Sequence, residues 1–220
     1  MTHYQVNCWH NRSFELDPTS TAFLAIDMQR DFLMDKEGRP NEMARIVADF
    51  SRLTEIMRNW GCTIVHTRES YAEDMSDVTA QKASQGYVGR PGPFGKYLIR
   101  GQHGCDFVDE LKPGPAEPVI DQPGFGKMHG SGLREILGAK GITHLILAGV
   151  TTQCCVHSTL REAVDCGYWC LTVADCCASP KQGWHDAALE LIASESHLFG
   201  SICDLKDLET ASRLDSLSGD

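Results

Sequence analysis

Cys155, in the run Gly149-Val150-Thr151-Thr152-Gln153-Cys154-Cys155-Val156, and Asp27, just after the apolar run Thr21-Ala-Phe-Leu-Ala-Ile26, are the residues best placed to do chemistry. The thiol follows the apolar stretch 144–148 and opens a segment in which Val156, Leu160, Ala163 and Val164 recur at helical spacing. It therefore sits at a strand-to-helix turn. Unpaired backbone N–H groups and the positive end of a helix dipole lower a thiol's pKa there, and the thiolate is the nucleophile. The same N–H groups can hold an oxyanion once a carbonyl is attacked. The plainer alternative is a buried cysteine that only packs, because free Cys behaves as a small hydrophobe. Asp27 adds weight to the chemical reading, since a carboxylate at the carboxyl end of a buried parallel strand points into the crevice where open α/β sheets bind ligands. Its ordinary alternative is a capping or turn Asp.

The elements that must position these groups alternate as a doubly wound sheet requires. After 21–26, Met43, Ile46, Val47, Phe50, Leu53 and Met57 repeat at three and four residues, predicting a long amphipathic helix that Gly61 terminates. Further strands are expected at 62–67, 118–121, 144–148, 168–174 and 201–203, with helices at 133–137 and 184–198. Residues 70–112 interrupt the alternation with many glycines, and Tyr71, Tyr87, Phe94 and Tyr97 argue for a packed insertion or lid. The expected organisation is one domain over 1–220, with an N-terminal extension at 1–18.

At 220 residues and 42% hydrophobic content the chain can bury one sizeable core. A net charge of -10 argues against nucleic acid or an anionic membrane as partner, because both need clustered Lys and Arg. No apolar run reaches the length of a membrane span and the first residues lack the regions of a signal peptide, so a cytoplasmic location is expected. The ten cysteines include the adjacent pairs 154/155 and 176/177, which are poor disulfide partners and fit a reducing compartment. Cys166 and Cys170 are separated by Gly167, and the nine histidines form no HExxH motif, so neither metal nor cofactor is expected. His157, two residues from the thiol, does not share its helix face and is read as structural.

Together, the strand-end Asp27, a lone mid-chain lysine and Gly-Val-Thr-Thr-x-x-Cys-Val at 149–156 resemble the isochorismatase-like cysteine hydrolases, from about residue 21 to about 199. Within that superfamily the chain looks most like biuret and related ureido hydrolases, through Ile-Asp-Met-Gln-Arg-Asp-Phe at 26–32 and His66-Thr67-Arg68-Glu69. Gly92-Pro93, Arg100-Gly101, Glu110-Leu111 and Asp175-Cys176-Cys177 match as well. The resemblance implies a three-layer α/β/α fold with a six-stranded, mostly parallel sheet in the order 3-2-1-4-5-6. It also implies a cis peptide bond at Val150–Thr151 and a homodimer or homotetramer. The chain lacks the Asp-x-His pair with which nicotinamidases of the same superfamily hold a metal.

The same likeness implies that Cys155 attacks a carbonyl while Asp27 takes the thiol proton and passes one to the leaving amine. The backbone N–H groups of Thr151 and Cys155 are the expected oxyanion hole. One position departs from the pattern: relatives carry a lysine at the end of the third strand, before Pro, where this chain has Gln122-Pro123. Either Lys127 reaches back to supply the charge, or Gln122 serves a changed mechanism. Candidates for substrate recognition are Phe32, Arg68, Glu69, Gln182 and His185.

The expected activity is metal-independent hydrolysis of a small amide or urea-like substrate of the biuret type. N-carbamoyl amino acids, a nicotinamide-like amide and maleamate stand as alternatives. True isochorismatases cleave a vinyl ether without a nucleophilic cysteine, which Cys155 argues against. The other class of reading, motivated by Gln122 and the neighbouring Cys154, is a non-catalytic binding or redox protein on the same fold.

Overall fold

The apolar runs pair into one six-stranded sheet. A computed structural model describes residues 3–214; Met1, Thr2 and 215–220, at the ends of the expected single domain, lie outside the described residues. The strands are β1 (Thr21–Ile26), β2 (Thr63–Glu69), β3 (Val119–Gln122), β4 (His144–Val150), β5 (Trp169–Ala178) and β6 (Ser201–Cys203). Their spatial order is 3-2-1-4-5-6 and every neighbouring pair is parallel. Each residue of β1 is buried, as a strand covered on both faces must be.

Three strands, β2, β4 and β5, run at least two residues further than expected. β4 and β5 shift register after Leu147, and Gly149 then pairs with Cys177 and Val150 with Ala178. Gly149 permits the shift: its φ is 131°, and a Cβ there would lie 2.0 Å from the Ile26 carbonyl oxygen. Only glycine tolerates both conditions.

The helices are α1 (Val47–Trp60), α2 (Ala80–Gln85), α3 (Leu133–Ala139), α4 (His157–Asp165), α5 (Gln182–His197) and α6 (Leu205–Glu209), and all but α2 flank the sheet. The long helix expected from residue 43 opens instead as a 3-10 turn, Glu42–Ile46, whose first N–H groups are capped by Asn41. It ends at Gly61, in the left-handed conformation, as the sequence predicts.

Two regions lie outside this sheet. Part of the N-terminal extension forms an antiparallel hairpin, His3–Cys8 with Arg12–Leu16, to which Ser212–Leu214 adds a third strand. The glycine-rich segment contains α2, a short ribbon of Pro91–Gly92 with Gly95–Lys96, and the 3-10 turns His103–Cys105 and Asp109–Leu111. Its Tyr71, Val88, Leu98 and Ile99 make a small apolar cluster distinct from the main core. Among the described residues, no helix is long and apolar enough to cross a membrane.

Candidate active site

Asp27 caps β1 with a φ of 54°, a left-handed conformation that Asp adopts more readily than most residues. The turn is tied to the neighbouring strand: Asp27 N–H donates to the Thr67 carbonyl (3.1 Å), and the Thr67 hydroxyl donates to Asp27 Oδ1 (2.7 Å). The other carboxylate oxygen meets Lys127 Nζ at 2.9 Å, and both side chains are 0% exposed. Lys127 arrives on the loop after β3 and also donates to the Gly124 carbonyl (2.9 Å). Glu162 of α4 clamps this loop by accepting the Met128 N–H at 2.8 Å. Gly126 leaves room for the clamp, since a Cβ there would lie 2.1 Å from Glu162 Oε1.

Cys155 sits on a π-helical turn, Thr152–Val156, that leads into α4. The preceding Val150–Thr151 peptide bond is cis. The Thr151 carbonyl accepts the N–H groups of both Cys154 (3.0 Å) and Val156 (3.2 Å), which sets the wide turn. Cys155 Sγ lies 3.9 Å from Glu69 Oε2, and a carboxylate oxygen of Asp27, one of Glu69 and Sγ are all within 4.8 Å of one another. The thiol, both carboxylates and Lys127 are buried.

The electrostatics follow from this burial. Desolvation alone would lower the Lys127 pKa, but Asp27, Cys155 and Glu69 outweigh it and hold the ammonium above its ordinary value. The Cys155 thiol moves opposite to the strand-to-helix expectation. The adjacent Cys154 thiol, burial and Asp27 push it well above the ordinary value, against the pull of Lys127. Its partner Cys154 is correspondingly lowered, chiefly by the contact with Cys155. A fully buried sulfur beside a carboxylate rests as the thiol whatever the helix dipole contributes.

Glu69 stands at the end of β2 and collects donors on one oxygen. Its Oε1 accepts the hydroxyls of Tyr71 (2.6 Å) and Tyr87 (3.1 Å) and faces Lys82 Nζ at 3.4 Å. Burial and the Glu69 carboxylate push Tyr71 above the ordinary phenol value, and burial does the same for Tyr87, so both hydroxyls stay donors. The Gln29 side chain fixes the Glu69 backbone by accepting its N–H (2.9 Å) and donating to its carbonyl (3.0 Å) and to that of Cys105 (2.9 Å).

The structure thus brings together Asp27, Cys155, Lys127 and Glu69, and it places other expected site residues elsewhere. Gln122 Nε2 donates to the His129 carbonyl (2.9 Å), so its amide is engaged beside β3, and it is Lys127 that meets Asp27. Arg68 pairs across the strands with Asp121 (2.9 Å) and with Asp106 (3.2 Å). Adjacent strand residues point to opposite faces, so Arg68 and Glu69 could not both face one pocket. Gln182 is exposed at the start of α5, bonded to Asp186 (2.8 Å) and Arg45 (3.2 Å). His185 bonds Thr152 Oγ1 (2.8 Å) and supports the π-helical turn from behind. Phe32 is half-buried with its edge toward Tyr97, 6.0 Å between centroids, and packs on the small cluster.

Sequence reasoning missed Thr67, Gln29 and Lys82. Thr67 is legible once β1 and β2 are paired, because it stands opposite Ile26, one residue before Asp27. Gln29 lies inside the motif at 26–32 but carries no signal for three backbone bonds. Asp27, Glu69 and Cys155 are also the one group among the described residues spaced to share a metal ion. Any ion there would have to share Asp27 with the Lys127 ammonium, which already supplies a positive charge.

The parallel sheet in this order, with a buried cysteine, aspartate and lysine near the carboxyl ends of its strands, defines a three-layer α/β protein with an enclosed polar site. The model of the isochorismatase domain matches residues 21–207, and the chain belongs to the isochorismatase family. Ureidoacrylate amidohydrolase RutB of Caulobacter segnis is 27% identical over 174 residues, 73% of each chain. An isochorismatase-like hydrolase from Alkaliphilus metalliredigens superposes with a TM-score of 0.71 at 25% identity, covering 85% of this chain and 96% of that one. A cysteine hydrolase from Pseudomonas syringae shares the fold, with a TM-score of 0.76 at 21% identity over 88% and 94% of the two chains.

Proposed function

We propose that this isochorismatase-family amidohydrolase is a cysteine hydrolase that cleaves a terminal C–N bond of a small, neutral, urea-like amide of the biuret type and releases ammonia. The observation that carries this reading is the unexposed Asp27–Lys127 ion pair at 2.9 Å, whose carboxylate lies within 4.8 Å of Cys155 Sγ. Sγ attacks the carbonyl carbon and its proton passes to Asp27, so a resting thiol suffices. The amides of Thr151 and Cys155 hold the oxyanion, and Lys127 balances the charge on Asp27. Collapse breaks the C–N bond, and the proton from Asp27 leaves with the nitrogen as ammonia. Water, deprotonated by Asp27, then hydrolyses the thioester to the acid and restores the thiol.

Glu69 supports the substrate class. With donors gathered on Oε1, its Oε2 remains an acceptor facing the sulfur, suited to an N–H on the retained side of the attacked carbonyl. Urea-like compounds carry that N–H and simple amides do not. A carboxylate-bearing substrate such as maleamate meets Glu69 with like charge. The reactive groups are buried, so substrate entry requires movement of the covering segment, the glycine-rich stretch between Tyr71 and Cys105 that reaches Glu69 through Lys82 and Tyr87.

The test is ammonia release by the reduced protein from biuret, triuret, ureidoacrylate, N-carbamoyl amino acids, nicotinamide and maleamate, with Cys155→Ser in parallel. Cys155-dependent turnover, greatest for a neutral ureido compound, is expected. Silence across the panel, or turnover that survives in Cys155→Ser, removes the proposal.

A further inference from the structure

Among the described residues, Lys82 is the one lysine besides Lys127 that is buried, at 7% exposure, yet it is borne by the covering segment, on the short helix α2. Burying an ammonium is expensive unless its partners are specific. All its polar partners belong to the site or its rim: Tyr71 Oη at 2.5 Å, the Pro123 carbonyl at 3.1 Å and Glu69 Oε1 at 3.4 Å. Its Nζ also stands 4.0 Å from the Phe125 ring centroid, on the loop that carries Lys127. The lysine therefore joins three parts of the site: the end of β2, the covering segment and the Lys127 loop.

The hydrogen bonds have a direction. Lys82 donates to the Tyr71 hydroxyl, which donates to Glu69 Oε1, and Tyr87, also on the covering segment, donates to the same oxygen. Two of the groups that orient Glu69 thus leave it if the segment lifts. Without them Oε1 competes with Oε2 for a substrate N–H, and the carboxylate is free to rotate. Closure consequently does more than exclude water: it completes the acceptor.

We propose that Lys82 is a positioning residue that, on closure of the covering segment, turns Glu69 so that Oε2 faces Cys155. The enzyme thereby selects substrates with an N–H on the retained side of the carbonyl. This rests on the reading that Glu69 accepts a substrate N–H. Lys82 touches no reacting atom; it acts through Tyr71 and Glu69 and through the latch on Pro123.

Two readouts on Lys82→Met and Lys82→Arg test it: kinetics with biuret, and the rate of Cys155 alkylation by iodoacetamide followed by peptide mass spectrometry without substrate. In Lys82→Met, kcat/KM for biuret falls about tenfold or more, mostly through KM, as expected for loss of a charge-assisted contact. Alkylation of Cys155 accelerates about tenfold as the closed state is weakened. Lys82→Arg, which keeps the charge, returns both toward wild type, a rescue that a purely structural role does not predict. If Lys82→Met does not fold, Tyr87→Phe removes one hydroxyl from the same network and shifts both readouts in the same direction.

An alkylation rate unchanged in Lys82→Met, or a loss in kcat/KM equal in Met and Arg, overturns the proposal. Failure of the functional reading looks different: the wild-type protein then shows no Cys155-dependent turnover of any ureido compound, while alkylation still decides whether Lys82 closes the segment.

Discussion

The floor of the site and its cover are built by different rules. Asp27 and Cys155 stand at the ends of β1 and β4, strands buried along nearly their whole length, and Lys127 is clamped by a glutamate from α4. The cover, between Tyr71 and Cys105, has one short helix, a ribbon of two two-residue strands, and a separate apolar cluster of Tyr71, Val88, Leu98 and Ile99. The groups proposed to make and break bonds thus share the stability of the main core. The groups that orient Glu69 sit where opening is cheapest. A protein divided in this way can admit substrate without loosening its nucleophile.

Several substitutions would break or sharpen this division. Cys155→Ala should lower turnover of the best ureido substrate by about 10⁴-fold or more while leaving the thermal melt near wild type, because a floor residue that only reacts contributes little packing. Preserved turnover would move the chemistry off the floor. Lys127→Met leaves Asp27 buried and unpaired, and should reduce stability by about 3–5 kcal/mol in denaturant titration as well as activity. A loss in activity alone would mean that Asp27 finds another partner.

A matched pair tests the cover directly. Leu147→Ala, in β4, should cost about 2–5 kcal/mol of global stability, whereas Leu98→Ala should appear mainly as faster hydrogen exchange and proteolysis within 72–97. Equal global losses would erase the distinction between the regions.

The smallest effect is a pH dependence at the amino end of β3. Burial would raise Glu117, but the Arg58 guanidinium, the Gly114 N–H and His66 pull it down to about 2. A carboxylate depressed by folding contributes its stability in full above its ordinary value of 4.5 and loses it as pH falls toward 2. His66 is lowered by burial, so protonation below its ordinary 6.5 also favours the unfolded chain. Melting temperature should therefore fall on acidification, and Glu117→Gln should flatten the drop below pH 4.5. Acid stability unchanged by that substitution would remove Glu117 from the account.

The sheet was legible because its strands are uninterrupted apolar runs separated by helical periodicity, and its order came through the family resemblance. The hairpin of residues 3–16 was not, since short antiparallel strands with alternating exposure carry weak signals and one partner lies near the other end of the chain. Asp27 and Cys155 stood out because each ends a strand. Lys127 stood only as one of two readings beside Gln122, because its arrival depends on the path of the four residues after Gln122, which spacing cannot reveal. The raised thiol was unreadable for a related reason. A helix terminus is visible in a sequence, but complete burial beside a carboxylate exists only after folding.

Gln29 has an architectural consequence. Its amide bonds the Cys105 carbonyl, Asp31 accepts the Leu98 N–H (2.7 Å), and the Arg30 N–H donates to the Asp106 carbonyl (3.0 Å). The downstream end of the cover is therefore moored to the same turn that presents Asp27, and its upstream end is continuous with β2. Chain length can vary only between those moorings, most easily at the exposed ribbon tip around Pro93. Insertions or deletions there would change the length of the cover while Asp27, Lys127 and Cys155 keep their places.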